Sequence, residues 1–142
     1  MALAWSEEWL IAQQASCKDD EEFHEASDGF ERFFVQHVLA DPARGVEKDR
    51  WVGFNPPALD DFWVAETNLR PDSDYIVQGT YEDWWAVNVG KKGLVASLLD
   101  QSLLLIKGST SYIAMFVSGA DRFYEISGSI TDAYEGDFKP IH

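Results

Sequence analysis

Basic residues are scarce in this 142-residue chain. Lys and Arg total 11 against 25 Asp and Glu, a formal net charge of −14. Binding to a phosphate backbone depends on Lys and Arg displacing counterions. No basic cluster exists here, so nucleic acid is excluded as a partner. An anionic membrane surface repels such a chain, since each basic residue near it contributes only about 1 kcal/mol; any membrane contact is transient and uncharged in origin. Cysteine is nearly absent too. Cys17 stands alone and cannot staple the chain internally, which fits a reducing compartment, and we expect a cytoplasmic protein. Long apolar runs are missing. Neither "LLLI" from Leu103 to Ile106 nor the six residues of "YIAMFV" from Tyr112 to Val117 come near the ~20 residues of a spanning helix. The opening "MALAWSEEWL" has neither a basic n-region nor an unbroken apolar stretch, so it does not read as a signal peptide.

Catalytic signatures are missing as well. The sequence holds no G-x-G-x-x-G, no P-loop, no C-x-x-C, no H-E-x-x-H and no G-x-S-x-G. Its histidines are His24, His37 and His142. Glu21-x-x-His24 is half of a carboxylate-bridged metal motif that needs a second copy on a facing helix. Asp60 and Asp61 are neighbours, but on a strand neighbours point to opposite faces and share no proton. A nucleophile and a histidine that meet only in space leave no trace of this kind. The residues thus give no positive support for a catalytic role, a metal or a cofactor, and we expect none of the three.

What is present is apolar and aromatic. Apolar residues make up 46% of the chain and aromatics 14%, enough for one folded domain over residues 1–142 without disulfides. Ser6 followed by Glu7 and Glu8 starts a helix, with Trp5 and Leu10 in the positions of a hydrophobic staple. A second helix starts near Asp19 and ends at Asp28-Gly29. Four strands follow: "FERFFVQHVLA", "DRWVGF", "DDFWVAET" and "DYIVQG". The turn "DPARG" makes a hairpin of the first two. Thr80 caps a helix carrying Tyr81, Trp84 and Trp85, and another carries Leu94, Val95, Leu98 and Leu99. "SLLLIKG" reads as a strand apolar on both faces. A last helix runs from Gly108-Ser109 through Ile113, Phe116, Val117, Ala120 and Phe123, and residues 127–142 form a tail without period. Strands grouped first and helices gathered around them predict an α+β fold, one largely antiparallel sheet with helices on one face.

The pattern "FVQHVLADPARGVEKDRWVGF", then "DYIVQGTYEDWWAVNVGKKGLVASLLDQSLLLIKGSTSYIAMF", resembles the sterol carrier protein type-two (sterol-binding domain) family, above all its small stand-alone microbial members. The resemblance spans Trp5 to Phe123. It rests on the D-P-x-x-G hairpin at Asp41, Pro42 and Gly45, the G-x-Y-x-x-W of Gly79, Tyr81 and Trp84, and the buried strand ending Lys107-Gly108. The chain departs from the family at Ser102, where glycine is frequent, at Leu103 to Ile106, where Lys and Leu often alternate, and at Ser109, often Asp or Asn. The resemblance implies about five strands and an apolar tunnel between sheet and helices that takes up lipids, with no metal and no catalytic residue. Trp84, Trp85, Leu94, Leu98, Leu99, Ile113, Phe116, Val117, Ala120 and Phe123 are the candidates for lining it.

The physics permits such a role. Burying a sixteen-carbon chain at about 0.8 kcal/mol per methylene gains roughly 12 kcal/mol, and association takes back about 4–15 kcal/mol. The expected function is therefore a small lipid-binding carrier for one fatty acid, fatty acyl-CoA or sterol-like molecule. The alternative is a non-catalytic interaction domain that partners an enzyme acting on hydrophobic substrates, or a second copy of itself, since aromatics are enriched at interfaces.

Overall fold

Ser6 opens the first helix as expected: its hydroxyl accepts from the Trp9 amide, and Glu7 and Glu8 occupy the positive first turn of α1 (Glu7–Lys18). Asp20 does the same for α2 (Glu21–Ala26), accepting from the Phe23 amide. The computed structural model describes residues 2–141, so His142 lies outside the described residues. The chain continues through β1 (Phe34–Leu39), β2 (Arg50–Phe54), β3 (Phe62–Ala65) and β4 (Tyr75–Thr80). Then come α3 (Tyr81–Asn88), α4 (Leu94–Leu99), β5 (Leu104–Lys107), α5 (Thr110–Ala114) and α6 (Val117–Ile130).

The strands form one open five-stranded sheet in the order β3-β2-β1-β4-β5. Asp41 to Gly45 closes the β1–β2 hairpin with a short 3-10 turn, and Gly45 takes a left-handed φ of 87°. β1 and β4 pair in parallel, while the other three pairings are antiparallel. The fold is α+β, with the helices on one face of this mixed sheet. The strand period of two decides which side chains meet them. Phe34, Gln36 and Val38 of β1 share the helical face with Val52 and Phe54 of β2 and with Tyr75 and Val77 of β4. Val35 and His37 point the other way. There Trp51 stacks on His37 at 3.5 Å between ring centroids, and the His37 Nε2 lies 2.8 Å from the Asp49 carboxylate. His37 therefore ties the hairpin together.

Three expectations about local structure are corrected. The strand "SLLLIKG" is not buried on both faces. Leu103 is fully buried over Gly79, but Leu104 is 46% and Ile106 56% exposed on β5, which is an edge strand. The last expected helix is two, broken at Met115 and Phe116. The apolar spacing runs unbroken through that joint, so periodicity alone cannot reveal it. α6 also runs to Ile130, so the tail begins at Thr131 rather than at residue 127. It packs rather than dangles: the Asp132 amide donates to the Ala2 carbonyl at 2.9 Å, Phe138 is buried 4.9 Å from the Tyr81 ring, and the Trp85 indole donates to the Lys139 carbonyl at 2.8 Å.

The core gathers Trp5, Trp9, Trp84 and Tyr81, all fully buried. Trp5 meets Trp9 edge-to-face at 5.0 Å, and the Trp84 indole donates to the His37 carbonyl at 3.0 Å. α3 crosses α6 at Gly128, where a Cβ would stand 2.4 Å from the Asn88 carbonyl oxygen. That contact is with backbone and cannot be relieved by a rotamer change. Gly128→Ala is expected to lower stability by about 1–2 kcal/mol net, overpacking outweighing the gain in helix propensity. A fall in the urea midpoint tests this; an unchanged midpoint would show that the two helices have room to spare.

Candidate functional site

α6 is fastened unevenly. In its second half, buried Ser127 accepts from the Trp9 indole at 3.1 Å and donates to the Asn88 side-chain oxygen. Asn88 donates in turn to the hydroxyls of Thr131 (3.1 Å) and Tyr134 (2.7 Å). Gln13 of α1 donates to the Phe123 carbonyl at 2.8 Å. The first half has no side-chain cap at Phe116. It is held to α2 by close approach and charge. A Cβ on Gly119 would come 2.4 Å from the Ser27 hydroxyl, and the Arg122 guanidinium bonds both Asp20 carboxylate oxygens at 3.1 and 2.6 Å.

Between this first half and the sheet lies a cavity of about 40 Å³, half enclosed and partly open to solvent. Phe34 and Phe54 form its floor, and Phe23, Ser27, Phe30 and Pro56 flank it. Leu94, Ile113, Phe116, Gly119, Ala120, Phe123 and Tyr124 complete the wall. Among the described residues no charged side chain lines it, and Ser27 and Tyr124 supply its polar side-chain atoms. A water occupies about 30 Å³ of liquid, and a cavity that takes benzene measures about 150 Å³. The space as it stands suits one water, and an acyl chain requires it to widen several-fold.

Among the candidates from sequence, Leu94, Ile113, Phe116, Ala120 and Phe123 line the cavity. The other five do not. Trp84 is spent in the core on the His37 carbonyl. Trp85 is half-buried beneath the tail, against Phe138 and Lys139. Leu98 packs in the core away from the cavity, Leu99 is 70% exposed at the end of α4, and Val117 is 41% exposed beside the α5–α6 joint. A stripe of helical spacing does not tell which of its members face a neighbour and which face water. The sequence reading missed Phe23, Phe30, Phe34, Phe54 and Tyr124. The strand residues were within reach, because a site under the last helix must be floored by the inward row of β1 and β2.

Reactive chemistry has little foothold here. Burial pushes the Cys17 thiol up to about 12, aided by the nearby Asp20 carboxylate, so it is not a thiolate near neutrality. Burial raises the Tyr124 phenol as well, and its hydroxyl donates to the Gln36 side-chain oxygen at 2.9 Å. Among the described residues no group of three His, Cys, Asp or Glu is placed to hold a metal, and no helix is long and apolar enough to cross a membrane. A second, larger space of about 430 Å³ lies on the far side of Tyr124, bordered by Asn88, Glu125, Ser129, Tyr134 and Ile141. Its walls are mixed and carry a carboxylate, so the smaller, charge-free cavity is the better apolar site.

No protein-family model matches the sequence, and no curated protein matches it. Solved structures do match in shape. A crystal structure of sterol carrier protein 2 superposes with a TM-score of 0.77 at 20% identity, covering 87% of this chain and 96% of that one. A conserved hypothetical protein from Thermus thermophilus, suggested to be a sterol carrier protein, gives 0.79 at 19% identity over 94% and 92%. The palmitated sterol carrier protein 2-like 2 of Aedes aegypti gives 0.52 at 13% over 96% and 99%. At these identities the likeness establishes the fold, which is that of sterol carrier protein 2.

The Asp20–Arg122 link beside the cavity has a definite pH signature. The Arg122 hydrogen bonds, then the Phe23 amide, hold the Asp20 carboxyl below its ordinary range. A carboxyl lowered in the folded state stabilises above the unfolded value of ~4, and that contribution is lost as pH falls further. Thermal melting below about pH 5 should therefore fall more steeply with acid in the wild type than in Arg122→Met. Equal slopes would show that the link carries no acid-dependent stability.

Proposed function

We propose that this chain is a non-catalytic carrier of one hydrophobic ligand, taken up between α6 and the sheet. The observation that carries the reading is the charge-free cavity under the first half of α6, which lacks the buried hydrogen-bond network of the second half, set in a sterol-carrier fold. Leu94, Ile113, Phe116, Ala120 and Phe123 then contact the ligand, and Phe34 and Phe54 floor it.

The ligand enters by displacing α5. This helix has five residues. The Tyr112 hydroxyl tethers it to the segment before β1, accepting from the Glu31 amide at 3.3 Å and donating to the Gly29 carbonyl at 3.4 Å. Both bonds are long and exposed, so each is weak. The Tyr112 ring rests on Phe30 and Phe116, which line the cavity. Met115, 74% exposed, and Val117 flank Phe116 and give the mouth an apolar rim. Opening exposes apolar surface, and that cost comes out of the gain from burying the ligand. The resulting modest affinity suits cargo that must be released.

A second reading rests on β5. This edge strand exposes Leu104 and Ile106 beside unpaired backbone groups, a surface suited to a second copy or an enzyme partner. Light scattering across a concentration series separates a monomer from such an assembly.

The carrier reading predicts that delipidated protein takes up a fluorescent fatty-acyl probe and that the probe quenches tryptophan emission. Ala120→Phe fills the cavity and should cut uptake at least tenfold. Tyr112→Ala loosens α5 and should speed release several-fold, with a melting temperature near that of the wild type. Absence of uptake across the common lipid classes would sink the reading.

A further inference from the structure

The larger space beside α6 plays no part in carrying a lipid. It measures about 430 Å³, within the size range of small-molecule sites. The end of α3 forms one wall, through Val89 and Gly90, and the second half of α6 another, through Glu125, Gly128 and Ser129. Tyr124, Tyr134 and Ile141 add two rings and an aliphatic side chain. One missing side chain brings the two walls together. A Cβ on Gly128 would stand 2.4 Å from the Asn88 carbonyl oxygen, so a glycine lets the end of α3 come down on α6.

The polar groups left free around this space are acceptors. The Val89 and Gly90 amides are spent on the carbonyls of Trp85 and Val87. The Asn88 carboxamide is spent on Ser127, Thr131 and Tyr134. Ser129 gives its proton to the Ile126 carbonyl at 2.7 Å, which leaves its oxygen to accept. The carbonyls of Asn88, Val89 and Gly90 take no backbone amide among the described residues. They form the negative end of the α3 dipole. Glu125 adds a carboxylate. Its cation, Arg122, is shared with Asp20 and Glu22, so one positive charge faces three negative ones. Burial and then Glu125 push up the Asp121 carboxyl one turn earlier, in line with that excess. Among the described residues no Lys, Arg or His borders the space.

We infer that this space binds a protonated aliphatic amine, its ammonium group on Glu125 and the carbonyl end of α3, its chain against Tyr134 and Ile141. An ammonium group brings three donors and no acceptor, the complement of what these walls leave free. A carboxylate would be repelled, and an alcohol brings one donor and no charge. The net charge of −14 draws cations toward the molecule. The site shares the Tyr124 ring with the cavity under α6, but its chemistry does not depend on the carrier reading.

Probes of matched chain length test the assignment: hexylammonium, hexyltrimethylammonium, hexanol and hexanoate. Each is titrated into the full chain at pH 7.5 and constant ionic strength, followed by backbone 15N–1H signals. Hexylammonium should saturate, with shifts gathered at Val89, Gly90, Glu125 and Ser129. Hexyltrimethylammonium has no N–H and should bind about tenfold more weakly, and hexanoate should not bind. Glu125→Gln should weaken hexylammonium about three- to tenfold; this side chain is 66% exposed, so the core is untouched. Asp72→Asn removes an exposed carboxylate from the loop before β4 and should change nothing. Equal losses in the two variants would mean attraction to the overall charge alone. Hexanol binding as tightly as hexylammonium would mean an apolar dent alone. Either result, or no saturation by hexylammonium, overturns the assignment. Shifts confined to Leu94, Ile113 and Phe116 would put the amine under α6 instead, overturning the assignment and leaving the carrier reading intact.

Discussion

One buried serine decides where α6 is fixed. Ser127 accepts a hydrogen bond from the Trp9 indole of α1 and donates one to the side-chain oxygen of Asn88 of α3, so three helices meet at one hydroxyl. Every group in that cluster has a partner, and in a low-dielectric setting such a network is stiff. At the start of α6 no equivalent buried network exists: the helix begins at an uncapped Phe116 and leans on α2 through Gly119 and the Arg122–Asp20 ion pair. A rod clamped at one end and leaned at the other is a hinge-bearing element, and the cavity lies under the unclamped end.

The cavity itself follows from side-chain size. α6 presents Ala120 toward a layer of flat, rigid rings, next to a Gly119 that lets α2 close in. Phe34 stacks on Phe54 at 5.3 Å, and Phe54 on Phe123 at 4.9 Å. Rings held in such stacks cannot reach into the gap that Ala120 leaves. A leucine or phenylalanine at Ala120 would close it, which is the difference between a solid core and a site. The small volume is no accident of loose packing either, since Gly119 is needed for α2 to approach at all.

Much of this was legible beforehand, for identifiable reasons. Ser6 and Thr80 mark helix starts through local hydrogen bonds that need no tertiary context, and the second helix, expected from near Asp19, is capped one residue on by Asp20. Asp41 to Gly45 sets the hairpin through proline and a left-handed glycine. The resemblance in the sequence led to the fold that the structure shows. The cavity wall was half legible. Leu94, Ile113, Phe116, Ala120 and Phe123 followed from helical spacing, whereas Trp84, Trp85 and Leu98 look no different from them until tertiary partners are known. The break at Met115–Phe116 and the exposure of Leu104 and Ile106 depend on which face a neighbour covers, and spacing does not encode that.

The central claim is that α6 has one fixed half and one movable half, and native-state hydrogen exchange measures that residue by residue. In delipidated protein, amides from Thr110 to Ala120 should exchange through low-energy local openings, while those from Phe123 to Ile130 exchange only near global unfolding. Loading with a lipid should slow the first group and leave the second unchanged. Equal, global-level protection along the whole of α5 and α6, untouched by any lipid, would contradict the account.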